Sequence, residues 1–407
     1  MDKRLQKYAE LIVKVGVNVQ EGQMVVINAP VECAKFARIL VEEAYKAKAS
    51  YVLVRWHDDL IRKSYFTYAS LDVIKEVPEY VVKQFEEIVG KKAAVISISA
   101  PTPGLLKDID PEKLQTESIS TYEKIGFYHK FLMGNGSQWV VCSYPTEAWA
   151  KKVFPNDKNA FEKLLEAILK ASRVDEDGDA IKSWQDHMNN LARVNKILNN
   201  YNFKSLHFKN SLGTDLEIGL VNNHVWAGGG EYTQDGIYFS PNIPTEETFT
   251  MPHKDKVNGK VVSTKPLNYQ GKLIEDFYLV FKDGAVVDFD ARTEKDTLEN
   301  LLKLDEGSNR LGEVALISYD SPISNSNILF YNTLFDENAS CHLALGNAYS
   351  MNIKDGTKMT EEELIELGYN KSMEHVDFMF GSRDLEIVGT TFDGKKVQIF
   401  KNGNFVF

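Results

Sequence analysis

Between residues 24 and 155 the chain alternates between short apolar runs and longer amphipathic ones. "MVVIN" (24–28) and "YVLVRW" (51–56) have the length and β-branched content of buried strands. Between them, "VECAKFARILVEEAYKAKA" (31–49) carries apolar residues at helical spacing. The pair recurs in "VPEYVVKQFEEIVG" (77–90) followed by "KAAVISISA" (92–100), and again in "QWVVCSYPTEAWAKKVFP" (138–155). Strands joined through a helix lie parallel, and a parallel sheet needs helices on its faces. The expectation is therefore α/β: an N-terminal, mostly parallel sheet domain. Neither GxGxxG nor GxxxxGK[ST] follows any of these strands, which argues against a dinucleotide or P-loop site.

The pattern changes near residue 200. "DGDAIKSWQDHMNNLARVNKILNNY" (177–201) predicts a long charged helix closing the first domain. Beyond it, "SLHFKNSLGTDLEIGLVNNHVWAGG" (205–229) alternates between apolar and polar residues, with turn residues interspersed. "KLIEDFYLVFKDGAVVDFDA" (272–291) reads as a hairpin through Asp283–Gly284, and "GTTFDGKKVQIFKNGNFVF" (389–407) as a strand ribbon. A chain of 407 residues exceeds one ordinary core. The predicted organisation is an α/β domain over 1–200 and a mixed, strand-rich α+β domain over 201–407.

The net charge of −11 argues against a general nucleic-acid or anionic-membrane surface. Cys33, Cys142 and Cys341 lie far apart and make no disulfide framework, which fits a reducing, cytoplasmic setting. The opening "MDKRLQKYAELIVKVGVNV" reads as an amphipathic helix rather than a secretion signal, and no apolar run has membrane-spanning length.

The chemistry concentrates in the second half. In "EHVDFMFG" (374–381), a strand places His375 and Asp377 on one face and Val376, Phe378 and Phe380 on the other. That polar edge is a hydrogen-bonded core pair, a solvated face or part of a metal site. "SPNIPTEETFTMPHK" (240–254) adds Glu246 and Glu247; "NRLGEVALISY" (309–319) adds Glu313; "FDENASCHLALGNAYS" (335–350) adds His342 and Tyr349. Singly, each has an ordinary reading as a solvated acid, a packed histidine or a core tyrosine. Together they suit two divalent ions, because carboxylates bridge cations and imidazoles supply neutral nitrogen. Two rival readings stand beside this one. His342, His375 and Asp377 could form a mononuclear iron oxygenase site, although the His–x–Asp pair then follows the distal histidine, against the usual order. A two-domain, non-enzymatic small-ligand binder would have no need of clustered acids.

"NIPTEETFTMP", "LGEVAL", "HLALGNAY" and "HVDFMFGS", in this order and spacing, resemble the M29 metallopeptidases of the aminopeptidase T and aminopeptidase S type. The resemblance extends over essentially the whole chain, through "YPTEAWAKKVFP", "GTDLEIGL" and "VWAGG". It implies a metal-dependent aminopeptidase that releases N-terminal residues from short peptides, and a homodimer. It also implies two divalent ions (zinc, cobalt or manganese) held by Glu247, Glu313, His342, Tyr349, His375 and Asp377. Glu313 is then the candidate bridge, Tyr349 a ligand or oxyanion donor, and Glu246 the candidate proton shuttle. In an extended segment Glu246 and Glu247 point to opposite sides, so only one of them faces the ions.

Overall fold

The computed structural model describes residues 3–270 and 272–407. The chain forms two compact units. One comprises the chain up to His187 with Gly230–Pro244; the other comprises Met188–Gly229 with Thr245–Phe407.

The first unit is built on β1 (Met24–Pro30), β2 (Tyr51–His57), β3 (Ala94–Ile98) and β4 (Trp139–Cys142), in the order β2-β1-β3-β4. All three pairings are parallel, as strand–helix alternation requires. The helix Ala34–Lys46 between β1 and β2 buries Phe36, Ala37, Leu40 and Ala44, one face at a spacing of three to four. A second helix, Pro111–Met133, starts with proline in its first turn and is capped by Asp110, whose carboxylate accepts the Glu112 N–H. Gly230–Pro244 returns to this unit because it pairs with β4: the Val141 N–H donates to the Pro241 carbonyl at 2.8 Å, and the Ile243 N–H donates to Val141 at 3.0 Å. The cysteines of this unit, Cys33 and Cys142, are free and buried, as is Cys341 in the other.

The second unit contains two sheets. In the larger, Leu267–Tyr269, Lys272–Lys282, Pro252–Val262, Asp215–Leu220, Phe203–Lys209, Glu386–Thr391, Lys396–Lys401 and Asn404–Phe405 lie side by side, with Ala285–Thr293 on Lys272–Lys282. The hairpin through Asp283–Gly284 forms as expected, with positive φ at both turn residues (49° and 84°). The smaller sheet is antiparallel and consists of β5 (Thr248–Thr250), β6 (Leu311–Leu316), β7 (His342–Gly346) and β8 (His375–Met379), ordered β8-β7-β6-β5. Its apolar face packs on the larger sheet. Phe378 lies 5.6 Å from Phe277, and Phe380 lies 5.4 Å from Phe208, ring centre to ring centre. The opposite face is left for polar side chains. Among the described residues, no helix is long and apolar enough to cross a membrane.

Candidate metal centre

Register turns β6, β7 and β8 into rows. Glu313 lies opposite Ala344, and Ala344 opposite Asp377; Ala315 lies opposite His342, and Gly346 opposite His375. Directly opposed residues share a face, so Glu313, His342, His375 and Asp377 converge on the face away from the phenylalanines. Ala344 contributes only a methyl between the two carboxylates of its row. Gly346, at φ 100°, lets β7 approach β8, because a Cβ there would overlap the Glu374 carbonyl oxygen. Glu247 enters from the residue just before β5.

The side chains meet at short range. His342 Nε2 lies 3.3 Å from Glu313 Oε1, 3.4 Å from Glu247 Oε2 and 3.9 Å from Asp377 Oδ1. His375 Nε2 lies 3.3 Å from Asp377 Oδ1 and 3.7 Å from Glu313 Oε2. Two sets of donor atoms result, Glu247–Glu313–His342 and Glu313–His375–Asp377, each within 4.8 Å. Glu313 belongs to both and turns one oxygen to each histidine. His375 Nδ1 lies 2.7 Å from the Asn347 carbonyl and donates to it, which leaves Nε2 to face the acids.

These donors fit a divalent cation. The set is carboxylate oxygen with imidazole nitrogen, suited to zinc, cobalt or manganese. Among the described residues, the ion-pair partners of Glu247, Glu313 and Asp377 are the two histidines, with no lysine or arginine. Asp377 Oδ1 is buried and accepts no hydrogen bond. Carboxylates crowded out of water in this way need positive charge. Cys341, next to His342, does not contribute: its thiol contacts the Ile317 backbone, and burial pushes it up to about 12.

Without ions, protons take the cations' place. Burial, with Glu313 and Asp377, raises Glu247 to about 7. Burial would lower both imidazoles, but Glu313, Asp377 and Glu247 raise His342 to about 10, and Asp377 and Glu313 raise His375 to about 9. Histidines held above their ordinary 6.5 stabilise the fold fully below that value and lose this contribution as pH rises through 9 to 10. Glu247, raised from 4.5, likewise costs stability when it ionises between 4.5 and 7. Chelated protein should therefore show a Tm that falls as pH rises from about 6 to about 10. A divalent ion should restore more at the alkaline end, where it has fewer protons to displace. Thermal melts across this range, with and without metal, test it; a flat profile with a constant metal increment would contradict it.

Tyr349 packs its ring 4.7 Å from that of His375 and 6.3 Å from that of Phe249. Tyr349 is 40% exposed, and partial desolvation of its phenol, then the nearby Glu313 and Asp377, raises it, so without ions it stays a neutral donor. Glu246 is buried, and its N–H donates to Asn338 Oδ1 at 2.8 Å; its carboxylate belongs to neither donor set. The sequence reading did not single out Glu337. It lies on the short turn Glu337–Ala339, and its carboxyl is raised well above the ordinary value by burial and by Glu247 and Asp377. The only sequence signal was its place five residues before His342 in "FDENASCH". Beside the outer edge of β8 lies a cavity of about 350 Å³, with Tyr269, Asp336, Glu337, Glu374, His375 and Asp377 in its wall.

The family model described as thermophilic metalloprotease (M29) matches residues 1–405. Aminopeptidase 2 of Geobacillus stearothermophilus is 48% identical over 408 residues, covering 100% of this chain and 98% of that one. The structure of wild-type AmpT from Thermus thermophilus matches with a TM-score of 0.92 at 34% identity, covering 100% and 99%. A 2,5-dihydroxypyridine dioxygenase from Pseudomonas putida KT2440 matches with a TM-score of 0.53 at 13% identity, covering 100% and 98%, a likeness of fold alone.

Proposed function

This chain belongs to the thermophilic metalloprotease family M29, and from that premise we propose that it removes N-terminal residues from short peptides at a pair of divalent ions. It is a metal-dependent aminopeptidase, a hydrolase. The observation that supports two ions is Glu313, whose oxygens belong to two donor sets at once. On this reading Glu247 and His342 would hold one ion, His375 and Asp377 would hold the other, and Glu313 would reach both, with zinc, cobalt or manganese as the metals these donors suit. When bound, such ions supply Lewis-acid polarisation of a carbonyl and a water of lowered pKa.

The protein's own groups then have separate tasks. Asn347 fixes the His375 ring, and the Tyr349 phenol, as a ligand or as a donor, stabilises the oxyanion that develops at the scissile carbonyl. Proton transfer to the leaving amine falls to Glu337 rather than Glu246. Alternation in an extended segment turns Glu246 away from Glu247, whereas Glu337 shares a cavity wall with His375 and Asp377, and burial with Glu247 and Asp377 nearby favours its protonated form. The three buried free thiols suit a reducing cytoplasm, and a homodimer is the assembly the family resemblance implies. The oxygenase and binding-protein readings are not favoured: the dioxygenase likeness reaches the fold only, and the family is hydrolytic.

Chelation should abolish hydrolysis of aminoacyl anilides, and Zn²⁺, Co²⁺ or Mn²⁺ should restore it. Metal analysis should return two ions per chain. One ion per fully active chain would remove the paired-ion reading.

A further inference from the structure

The cavity beside β8 holds a carboxylate that the metal centre leaves unused. Glu374 Oε1 accepts a 2.8 Å hydrogen bond from the Tyr269 hydroxyl, which accepts one from Gln270 Nε2 at 3.1 Å. Glu374 Oε2 is buried and has no donor. The contrast with Asp336 in the same wall is direct: its carboxylate accepts the N–H groups of Phe330 at 2.7 Å and Asn332 at 2.9 Å. A carboxylate oxygen cut off from water without a donor is costly, and such groups persist where a ligand completes them. Among the described residues, no lysine or arginine lines this cavity, whereas Asp336, Glu337, Glu374 and Asp377 do. Alternation along β8 and the residue before it separates Glu374 and Val376 from His375 and Asp377. Because β8 is the edge of its sheet, groups on both its faces border the same space. A volume of about 350 Å³ accommodates one amino-acid residue.

We propose that Glu374, held in place by Tyr269, docks an ammonium group carried by the N-terminal residue of the substrate, a role that rests on the aminopeptidase reading above. The ammonium is the α-amine of any peptide or the side-chain amine of an N-terminal lysine, and the experiment separates the two. Glu374→Gln keeps the acceptor for Tyr269 and removes the charge. It should raise KM about 10- to 100-fold with a much smaller change in kcat. A rise for both leucyl and lysyl anilides assigns the α-amine; a rise for the lysyl substrate alone assigns the side chain. Calorimetry on chelated protein gives a second readout. Lysinamide should bind wild type more tightly than Glu374→Gln in either case, leucinamide should do so only where the α-amine is the group held, and 4-methylpentanamide, which lacks the amine, should not distinguish them. Tyr269→Phe, which only loosens the carboxylate, should show the same trend at smaller size. Unchanged KM for both anilides, or unchanged calorimetric affinities, overturns the assignment. Wild type that cleaves no anilide even with metal restored would instead defeat the aminopeptidase reading itself.

Discussion

Glu313→Gln is expected to lower kcat/KM for aminoacyl anilides by roughly 10³-fold or more while leaving the fold intact. The argument is positional. Oε1 of this residue lies 3.3 Å from His342 and Oε2 lies 3.7 Å from His375, so one carboxylate serves both donor sets. An amide has nearly the same volume but loses the negative charge and replaces one acceptor oxygen with an NH2 donor. On the paired-ion proposal, both ions should therefore be lost or weakened together. Glu247→Gln and Asp377→Asn should each weaken only one. Glu337→Gln is the informative comparison: retained metal with a collapsed kcat marks a proton carrier, and lost metal marks a further ligand. Metal content, kcat/KM and far-UV circular dichroism are measured on the same preparations. Glu313→Gln protein with wild-type metal and activity would remove this residue from the centre of the mechanism.

What could be read from the residues, and what could not, follows from the range of the forces involved. The α/β character of the first 155 residues is a local matter, since apolar periodicity sets strand and helix one element at a time. The polar face of β8 is local too: a period of two puts His375 beside Asp377 whatever the neighbouring strands do. Sheet order is not local. Nothing in β1 says that β2 and β3 will flank it, because order is set by crossover connections and packing. The row Glu313–Ala344–Asp377 depends on register across three strands, and the value of an alanine at 344 shows only once it separates two carboxylates. Glu337 lies on a single turn with no periodicity, so only the path of the loop brings it to the site. The return of Gly230–Pro244 to the first unit rests on backbone hydrogen bonds to Val141, which leave no trace in composition. The choice of Glu247 over Glu246 lies between these cases. Alternation predicts that one of the two faces the site, and the donor set contains Glu247 alone.

The backbone that aims Glu247 gives the second large effect. Gly228 has φ 136°, and a Cβ there would overlap the Glu247 carbonyl oxygen and come within 3.1 Å of its carbonyl carbon and 3.2 Å of Thr248 Cα. The surrounding segment cannot easily yield. Ala227 and Phe249 exchange N–H···O bonds at 3.0 and 2.9 Å. Asn195 donates to the Gly228 carbonyl at 3.1 Å and accepts from the Thr248 hydroxyl. Gly228→Ala must therefore displace Glu247 or break this clamp, at a cost of about 2–4 kcal/mol in stability. A ligand moved by about an ångström should cost roughly 10²-fold in kcat/KM. Because Glu247 belongs to one donor set, metal content should fall by one ion while the set containing His375 and Asp377 stays loaded. Gly394→Ala is the matched control. It has φ 85° with nothing within 4 Å of its Cβ, so it carries the conformational penalty without the clash. That control should lose about 1 kcal/mol of stability and keep full activity and both ions. If Gly228→Ala behaves as the control does in all three measurements, the close approach of Gly228 does not position Glu247.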